Sequence, residues 1–430
     1  MRKNKPFKWT RLFQALVLLV MVLSLSGCWD ADEINNLSTI NLIGIDETDS
    51  GQVEVTAVIV KPHTLFSETA VAGNEQNKFL IETTTGKSIL EALGNLSSTI
   101  SEKVYFGHVN AIVFGERAAR ERMVSSLDFF KRQTGFRPST KLLVTRGTAS
   151  QLVKTMPQFN VTLGMELDDL VLSNRYATTA MVKDISQFMK ALSSNTTDPI
   201  TGVISAAEKQ GIEIGKNEKE TKKQSDTEKS EATANTIEKN QKDIPKVLSL
   251  KGTAAFKGGQ LQGFLDERET RGLLWVKGEL QDEIVVLSCG ENNNETVTLN
   301  ITNSKSKFTP ELSGGTTKIG VDIQVEADIG QLTCPDFNVN TDQIDRLNQH
   351  LERVVVQDVT SVLSKAKNHW QTDIFGFGQS FYRNYPNKWE QIAPLWRNGL
   401  LKNTEVDLKV SANISRYGLL KDPIRANEGE

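Results

Sequence analysis

The chain has 430 residues, with 50 Lys and Arg against 53 Asp and Glu and a formal net charge of −3. That length suits two or three domains at ~100–200 residues each. Cleavage after residue 27 would remove five basic residues and no acidic ones, leaving 45 against 53, or net −8. Such a balance argues against nucleic acid or an anionic membrane surface as the main partner, because both reward clustered Lys and Arg.

Arg2, Lys3, Lys5, Lys8 and Arg11 precede the apolar run Ala15 to Leu23, which ends in Leu25, Ser26, Gly27 and Cys28. The run is shorter than the ~20 residues a bilayer requires and lacks a basic stop-transfer flank. It reads as an export signal. The ending resembles the bacterial lipobox, with cleavage between Gly27 and Cys28 and a lipid on the Cys28 sulfur. Acyl chains contribute ~0.8 kcal/mol per buried methylene, so two or three of them anchor a protein without a spanning helix.

The elements expected next form an α/β block. Leu37 to Ile45 and Gln52 to Val60 make a hairpin, Lys78 to Thr83 is extended, Ser88 to Ile100 helical and Val104 to Phe114 extended. Glu116 to Gln133 is helical, with Ala118, Ala119, Arg122, Met123, Ser126, Leu127 and Phe130 on one face, and Lys141 to Thr145 is extended. A helix-rich middle follows.

Residues 216–243 hold seven Lys, seven acidic residues and one large aliphatic, Ile237. So little apolar surface cannot offset the entropy of ordering, and the wider segment 205–244 reads as a disordered insertion. Val247 to Phe256 and Leu261 to Leu265 form another hairpin, and Asp266 to Leu274 a short helix.

In the last block Val321, Ile323, Val325, Ala327 and Ile329 alternate with polar residues, as do Val297, Leu299 and Ile301. This predicts an antiparallel sheet with one wet face. Asp342 to Lys367 turns helical, its stripe being Ile344, Leu347, Leu351, Val354, Val355, Val362 and Leu363, and should cross the sheet. A helical piece from Ile374 to Arg383 and a strand from Glu405 to Ile414 complete an α+β unit. The expected division is a signal peptide at 1–27, an N-terminal α/β domain at 28–158, a middle domain at 159–278 and a C-terminal α+β domain at 279–420. The fold class is α/β and α+β, with three unlike mixed domains.

No catalytic residues emerge. His63, His108, His350 and His369 lack metal-ligand spacing, and the sequence contains no HExxH, paired CxxC, GxSxG or GxxxxGK[ST]. His108 reads as a structural histidine in a strand. Asp168 with Asp169, and Asp266 with Glu267 and Glu269, read as surface carboxylates. Ile374, Phe375, Gly376, Phe377 and Gly378 read as a packing junction ahead of a docking surface. Cys289 and Cys334 are either a disulfide or two separate buried thiols. No metal or cofactor is implied, and no ligand-binding residue can be named.

Four stretches, in order, carry a family likeness. They are Cys28, Trp29, Asp30, Glu33, Ile34 and Asn35 with Gly44 and Ile45; Phe106, Gly107 and His108 leading to Val113, Phe114, Gly115 and Glu116; Gly263 and Leu265 with Glu269 to Trp275; and Asp373, Phe375 to Gly378, Pro386 and Trp389. Together they resemble the C-subunit lipoproteins of spore germinant receptors, written Ger(x)C. The polar run 216–243 departs from that pattern.

The resemblance implies a non-catalytic protein of three unlike mixed domains, lipidated at Cys28. It implies a place on the outer face of the spore inner membrane, beside integral-membrane A and B subunits in a complex that senses nutrients and triggers germination. The competing expectations are a lipid-anchored solute-binding protein, built as two lobes of repeated βαβ units, and an exported cell-wall hydrolase.

Overall fold

A computed structural model describes residues 7–24, 37–60, 79–100, 102–155, 162–174, 179–208, 246–288, 295–334 and 340–416. Gly27, Cys28, His63, Cys289 and the polar run 216–243 lie outside the described residues. In chain order come helix α1 (Phe7–Ser24), strands β1 (Leu37–Glu47), β2 (Val53–Val60) and β3 (Phe79–Gly86), and helix α2 (Ile89–Thr99). Then follow β4 (Lys103–Tyr105), β5 (Ala111–Phe114), α3 (Glu116–Glu121), α4 (Met123–Arg132), β6 (Lys141–Val144), α5 (Ala149–Val153) and α6 (Leu163–Ser173). After these come β7 (Lys183–Asp184), α7 (Ile185–Leu192), β8 (Ile200–Glu208), β9 (Lys246–Lys257), β10 (Gln260–Leu265) and α8 (Glu267–Lys277). The chain closes with β11 (Glu283–Ser288), β12 (Thr296–Ser313), β13 (Thr316–Leu332), α9 (Thr341–Leu363), α10 (Phe377–Asn384), α11 (Pro386–Leu395) and β14 (Glu405–Arg416).

Ten strands form the first sheet, in the order β10-β9-β8-β6-β5-β1-β2-β3, with β4 beside β1 and β7 beside β6. Its centre, β1, β5, β6 and β8, is parallel, and its flanks are antiparallel hairpins. A parallel centre must be covered on both faces, and successive side chains point to opposite faces. Ile112, Phe114, Leu142 and Val144 accordingly pack under α2, α3, α4 and α7. Ala111, Val113 and Leu143 face α5 and α6 on the other side. Strands from the expected N-terminal and middle blocks share this one sheet.

The second sheet has the order β11-β12-β13-β14. The alternation read in β13 holds: Val321, Ile323, Val325 and Ala327 are buried, while Asp322, Gln324 and Glu326 are exposed. β12 and β13 turn through Gly314 and Gly315, at φ 56° and 86°. Two consecutive positive φ angles make the two-residue hairpin turn that glycine accepts without steric cost. α9 lays Leu347, Leu351, Val355, Val359 and Val362 on the inner face.

Several expectations need correction. The last sheet is mixed, not antiparallel, because β14 runs parallel to β13. α9, α10 and α11 carry the chain back to the end from which β13 started, the long crossover a parallel pair requires. The expected strand Val104 to Phe114 is two strands, separated by a turn at Gly107 and His108. The expected helix Glu116 to Gln133 breaks at Arg122, although its predicted face is the buried one. β8 continues to Glu208, past the expected start of the insertion at 205.

The core of the second sheet does not stop at its own elements. Met181, Ile200, Ala255 and Leu265 from the first sheet and its connections join Leu273, Trp275, Phe375 and Phe377 in one apolar cluster. Each fully buried large aliphatic side chain contributes about 1.5–3 kcal/mol. Continuity of this cluster couples the two sheets.

Candidate functional site

A densely wired place lies where that shared core meets residues 194–198 and 373–397. Asp373 is buried, and its Oδ1 accepts hydrogen bonds from the backbone N–H groups of Gly376 (2.8 Å) and Phe377 (3.0 Å). Its Oδ2 accepts from Gly378 N (2.6 Å) and the Trp396 indole Nε1 (3.1 Å). One carboxylate thus satisfies the free N–H groups at the start of α10, where the helix dipole also favours negative charge.

The same residue reaches the first sheet through its backbone. Its N–H donates to Asp198 Oδ2 at 2.8 Å, and its carbonyl accepts from Asp198 N at 2.8 Å and Thr197 Oγ1 at 3.0 Å. Thr196 Oγ1 donates to Gln379 Oε1 at 2.8 Å, Trp389 Nε1 to Asn195 Oδ1 at 3.3 Å, and Arg397 to the Ser194 carbonyl. Gly376 has φ 87°, which turns the chain into α10. A Cβ on Gly378 would stand 2.7 Å from the Thr196 carbonyl oxygen, so only glycine allows this approach. Ile374, Phe375 and Phe377 are all buried, which is the packing-junction reading of that segment.

Electrostatics follow from burial. Desolvation pushes the Asp373 carboxyl up to about 6, against the pull of its three backbone donors, and nearby Asp198 adds to the rise. Asp198 is itself raised by burial.

A second buried carboxylate ties α8 to α9. Asp358 has no exposed side-chain surface, and takes Arg268 Nε on Oδ1 at 2.8 Å and Arg271 Nε on Oδ2 at 2.7 Å. A Cβ on Gly272 would lie 2.3 Å from the Asp358 carbonyl oxygen, so the helices touch at that glycine. A third, Asp46, accepts from Ala149 N and Ser150 N, both at 2.8 Å, at the start of α5. A Cβ on Gly115 would fall 1.9 Å from Asp46 Oδ1.

The residues weighed for chemistry are spent on structure. Asp266 caps α8 by accepting from Glu269 N (2.8 Å), while Glu269 Oε2 accepts from Asp266 N (2.9 Å) and from Lys365 Nζ (2.6 Å). This reciprocal arrangement is a capping box. Asp168 and Asp169 lie on α6. His108 sits exposed in its turn with its ring 5.6 Å from that of Tyr105, so it is not the strand residue expected. His369 Nδ1 lies 2.8 Å from the Ser364 carbonyl oxygen, and His350 is on α9. No group of three His, Cys, Asp or Glu among the described residues could hold a metal. Cys334 is buried and disulfide-bonded. Asp198 and Asp358 were not singled out in the sequence, although Asp358 falls on the α9 stripe at helical spacing from Leu351, Val355 and Val362.

The quoted stretches therefore meet at joints: Gly115 at Asp46, Gly272 at Asp358, and Asp373 to Gly378 at Asp198. Two family models match the chain in this order. "Spore germination protein N-terminal domain" covers residues 30–206, and "Spore germination B3/ GerAC like, C-terminal" covers residues 251–418. The chain belongs to the Ger(x)C family of spore germination proteins. Among its relatives, "Spore germination protein KC" of Bacillus subtilis (strain 168) is 26% identical over 418 residues, 96% of this chain and 97% of that protein. "Spore germination protein B3" of the same organism is 25% identical over 408 residues, 94% and 97% of the two chains. A structure titled "Crystal Structure of the GerBC protein" covers 86% of this chain and 96% of its own, at 20% identity and a TM-score of 0.49. Between the two matches lie residues 207–250, the region holding the polar run 216–243.

Two predictions follow from these buried carboxylates. Arg271→Ala should cost about 3–5 kcal/mol in urea unfolding, because it strips a partner from a buried charge. Arg268→Ala, at a side chain 55% exposed, should cost clearly less. Equal losses would contradict the pairing described. For Asp373, a native value of about 6 lies above the ordinary 3.8. The proton-linked part of its contribution to stability is therefore fully present below about 4 and lost as pH rises through 6. The fall in Tm between pH 4 and pH 7 should be smaller in Asp373→Asn than in the native chain, and an unchanged fall would contradict this.

Proposed function

We propose that the chain is the lipid-anchored, non-catalytic subunit of a spore nutrient germinant receptor, needed for sensing nutrients and triggering germination. The observation that carries this reading is the ordered pair of family matches over residues 30–206 and 251–418, the first starting two residues after Cys28. The non-catalytic role rests on that family identity.

In this reading Cys28 carries the lipid after cleavage at Gly27, and the folded part stands on the outer face of the spore inner membrane. Among the described residues no helix is long and apolar enough to cross a membrane. A lipid tether raises the local concentration of its cargo for a membrane partner, so a modest interface suffices. The partners are the integral-membrane A and B subunits, a reading supported by the relatives named "Spore germination protein B3" and "Spore germination protein A3". With Cys28 taken by lipid, Cys289 is the remaining cysteine to bond Cys334.

The competing readings fit less well. A solute-binding protein calls for two like lobes, and the two sheets here differ in strand number and pattern. A hydrolase calls for convergent acid, base or nucleophile, and Asp266 and Glu269 are spent on capping α8.

The test is affinity capture of the tagged protein from detergent-solubilised spore membranes, native against Cys28→Ala. The native chain should bring down two polytopic membrane proteins, and the variant should leave the membrane fraction and weaken nutrient-triggered germination. Unchanged membrane retention of Cys28→Ala would contradict the tether. Recovery of the native lipoprotein alone would contradict the receptor-subunit role.

A further inference from the structure

Beside the Asp198–Asp373 junction, between α7 and the C-terminal end of α8, the two sheet-bearing parts leave a pocket of about 220 Å³. Phe188, Ile200 and Ile374 give it apolar walls, and Lys183, Lys277 and Asp198 also line it. Lys183 comes from β7 and Lys190 from α7, while Lys277 is the last residue of α8, so the pocket draws lysines from both sides of the junction.

Among the described residues neither the Lys183 nor the Lys277 ammonium group has a hydrogen-bond or ion-pair partner, whereas Lys318 pairs with Glu405 and Asp407 and Lys365 with Glu269. The pocket's one carboxylate is committed elsewhere: Asp198 Oδ2 accepts from Asp373 N, and burial pushes its carboxyl toward the neutral form. Burial pulls the Lys277 amine below its ordinary value, and Lys183 depresses it further, outweighing the opposite pull of Glu279 and Asp373. A desolvated cation at Lys277, with the like charge of Lys183 near it and no counter-charge in contact, is costly to fold around. An anion placed between them relieves both the desolvation and the mutual repulsion. Apolar walls with a few convergent polar groups at a junction between structural units are also what small-molecule sites are built from.

We propose that this pocket binds a small organic carboxylate, with its anionic end between Lys183 and Lys277 and its apolar body against Phe188, Ile200 and Ile374. A bound carboxylate would bridge the two sheets, since its anionic end touches a residue of each side. The site stands apart from the receptor-subunit reading, because it depends only on the folded chain.

The test is isothermal titration of the full chain in detergent, in a chloride buffer at pH 7, with benzoate, benzyl alcohol and inorganic phosphate as probes. Benzoate should bind saturably and benzyl alcohol should not. Lys183→Met and Lys277→Met should each weaken benzoate roughly tenfold or more, the usual weight of a charge-assisted hydrogen bond. Lys277→Met should also raise the Tm of the ligand-free protein, since it removes a poorly solvated charge. That rise marks a residue kept for binding at a cost in stability, and it separates lost binding from lost folding. Benzoate binding unchanged in both variants, or no saturable binding of benzoate, would overturn the site. Phosphate binding more tightly than benzoate would overturn the carboxylate assignment.

Discussion

The carboxylate of Asp373 is the constraint on which the arrangement of the two sheets depends. Apolar contact between the sheets has no direction, and side chains such as Ile200 and Phe375 would tolerate sliding. Asp373 removes that freedom. Its two oxygens fix the first turn of α10 and the Trp396 indole, while its backbone N–H and carbonyl pair with Asp198. A buried carboxylate left short of donors would cost more than the fold can spare, so the donors and the acid hold one another in place.

The same device recurs. Asp46 caps α5 under the first sheet, and Asp358 holds two arginines of α8 against α9. A glycine accompanies each acid where a Cβ would collide: Gly115 at Asp46, Gly272 at the Asp358 backbone, and Gly378 beside the segment that Asp373 binds. Acid and glycine form one requirement, since the buried group can be reached only where the backbone comes close. Residues quoted for their family likeness thus have a mechanical meaning. Gly115, Gly272 and Asp373 to Gly378 position elements.

Much of this was legible in the sequence, and what was hidden has a physical reason. Alternation in Val321 to Ile329 and the stripe from Ile344 to Val362 located β13 and α9, because periodicity records which face each residue buries. Periodicity does not record the partner. The parallel seating of β14, the division of Val104 to Phe114 into two strands, and the break at Arg122 all depend on neighbours distant in sequence. Asp198 and Asp373 are 175 positions apart, and nothing local to Asp198 marks it as half of a junction. Asp358 offered a faint signal, as an acid on an apolar stripe. Lys183 and Lys277 offered none, because a lysine is usually solvated and only the fold reveals that these two share a pocket.

A rigid junction means that a push on one sheet reaches the other. The most direct measure of that rigidity is hydrogen exchange of the full chain at pH 7, comparing the amides of Gly376, Phe377 and Gly378 with those of β8 and β13. If Asp373 locks the sheets together, the three amides exchange only when both strands open, at the same free energy. Exchange of these amides at a lower free energy, with β8 and β13 still protected, would show that the junction opens by itself and that the sheets are not one body.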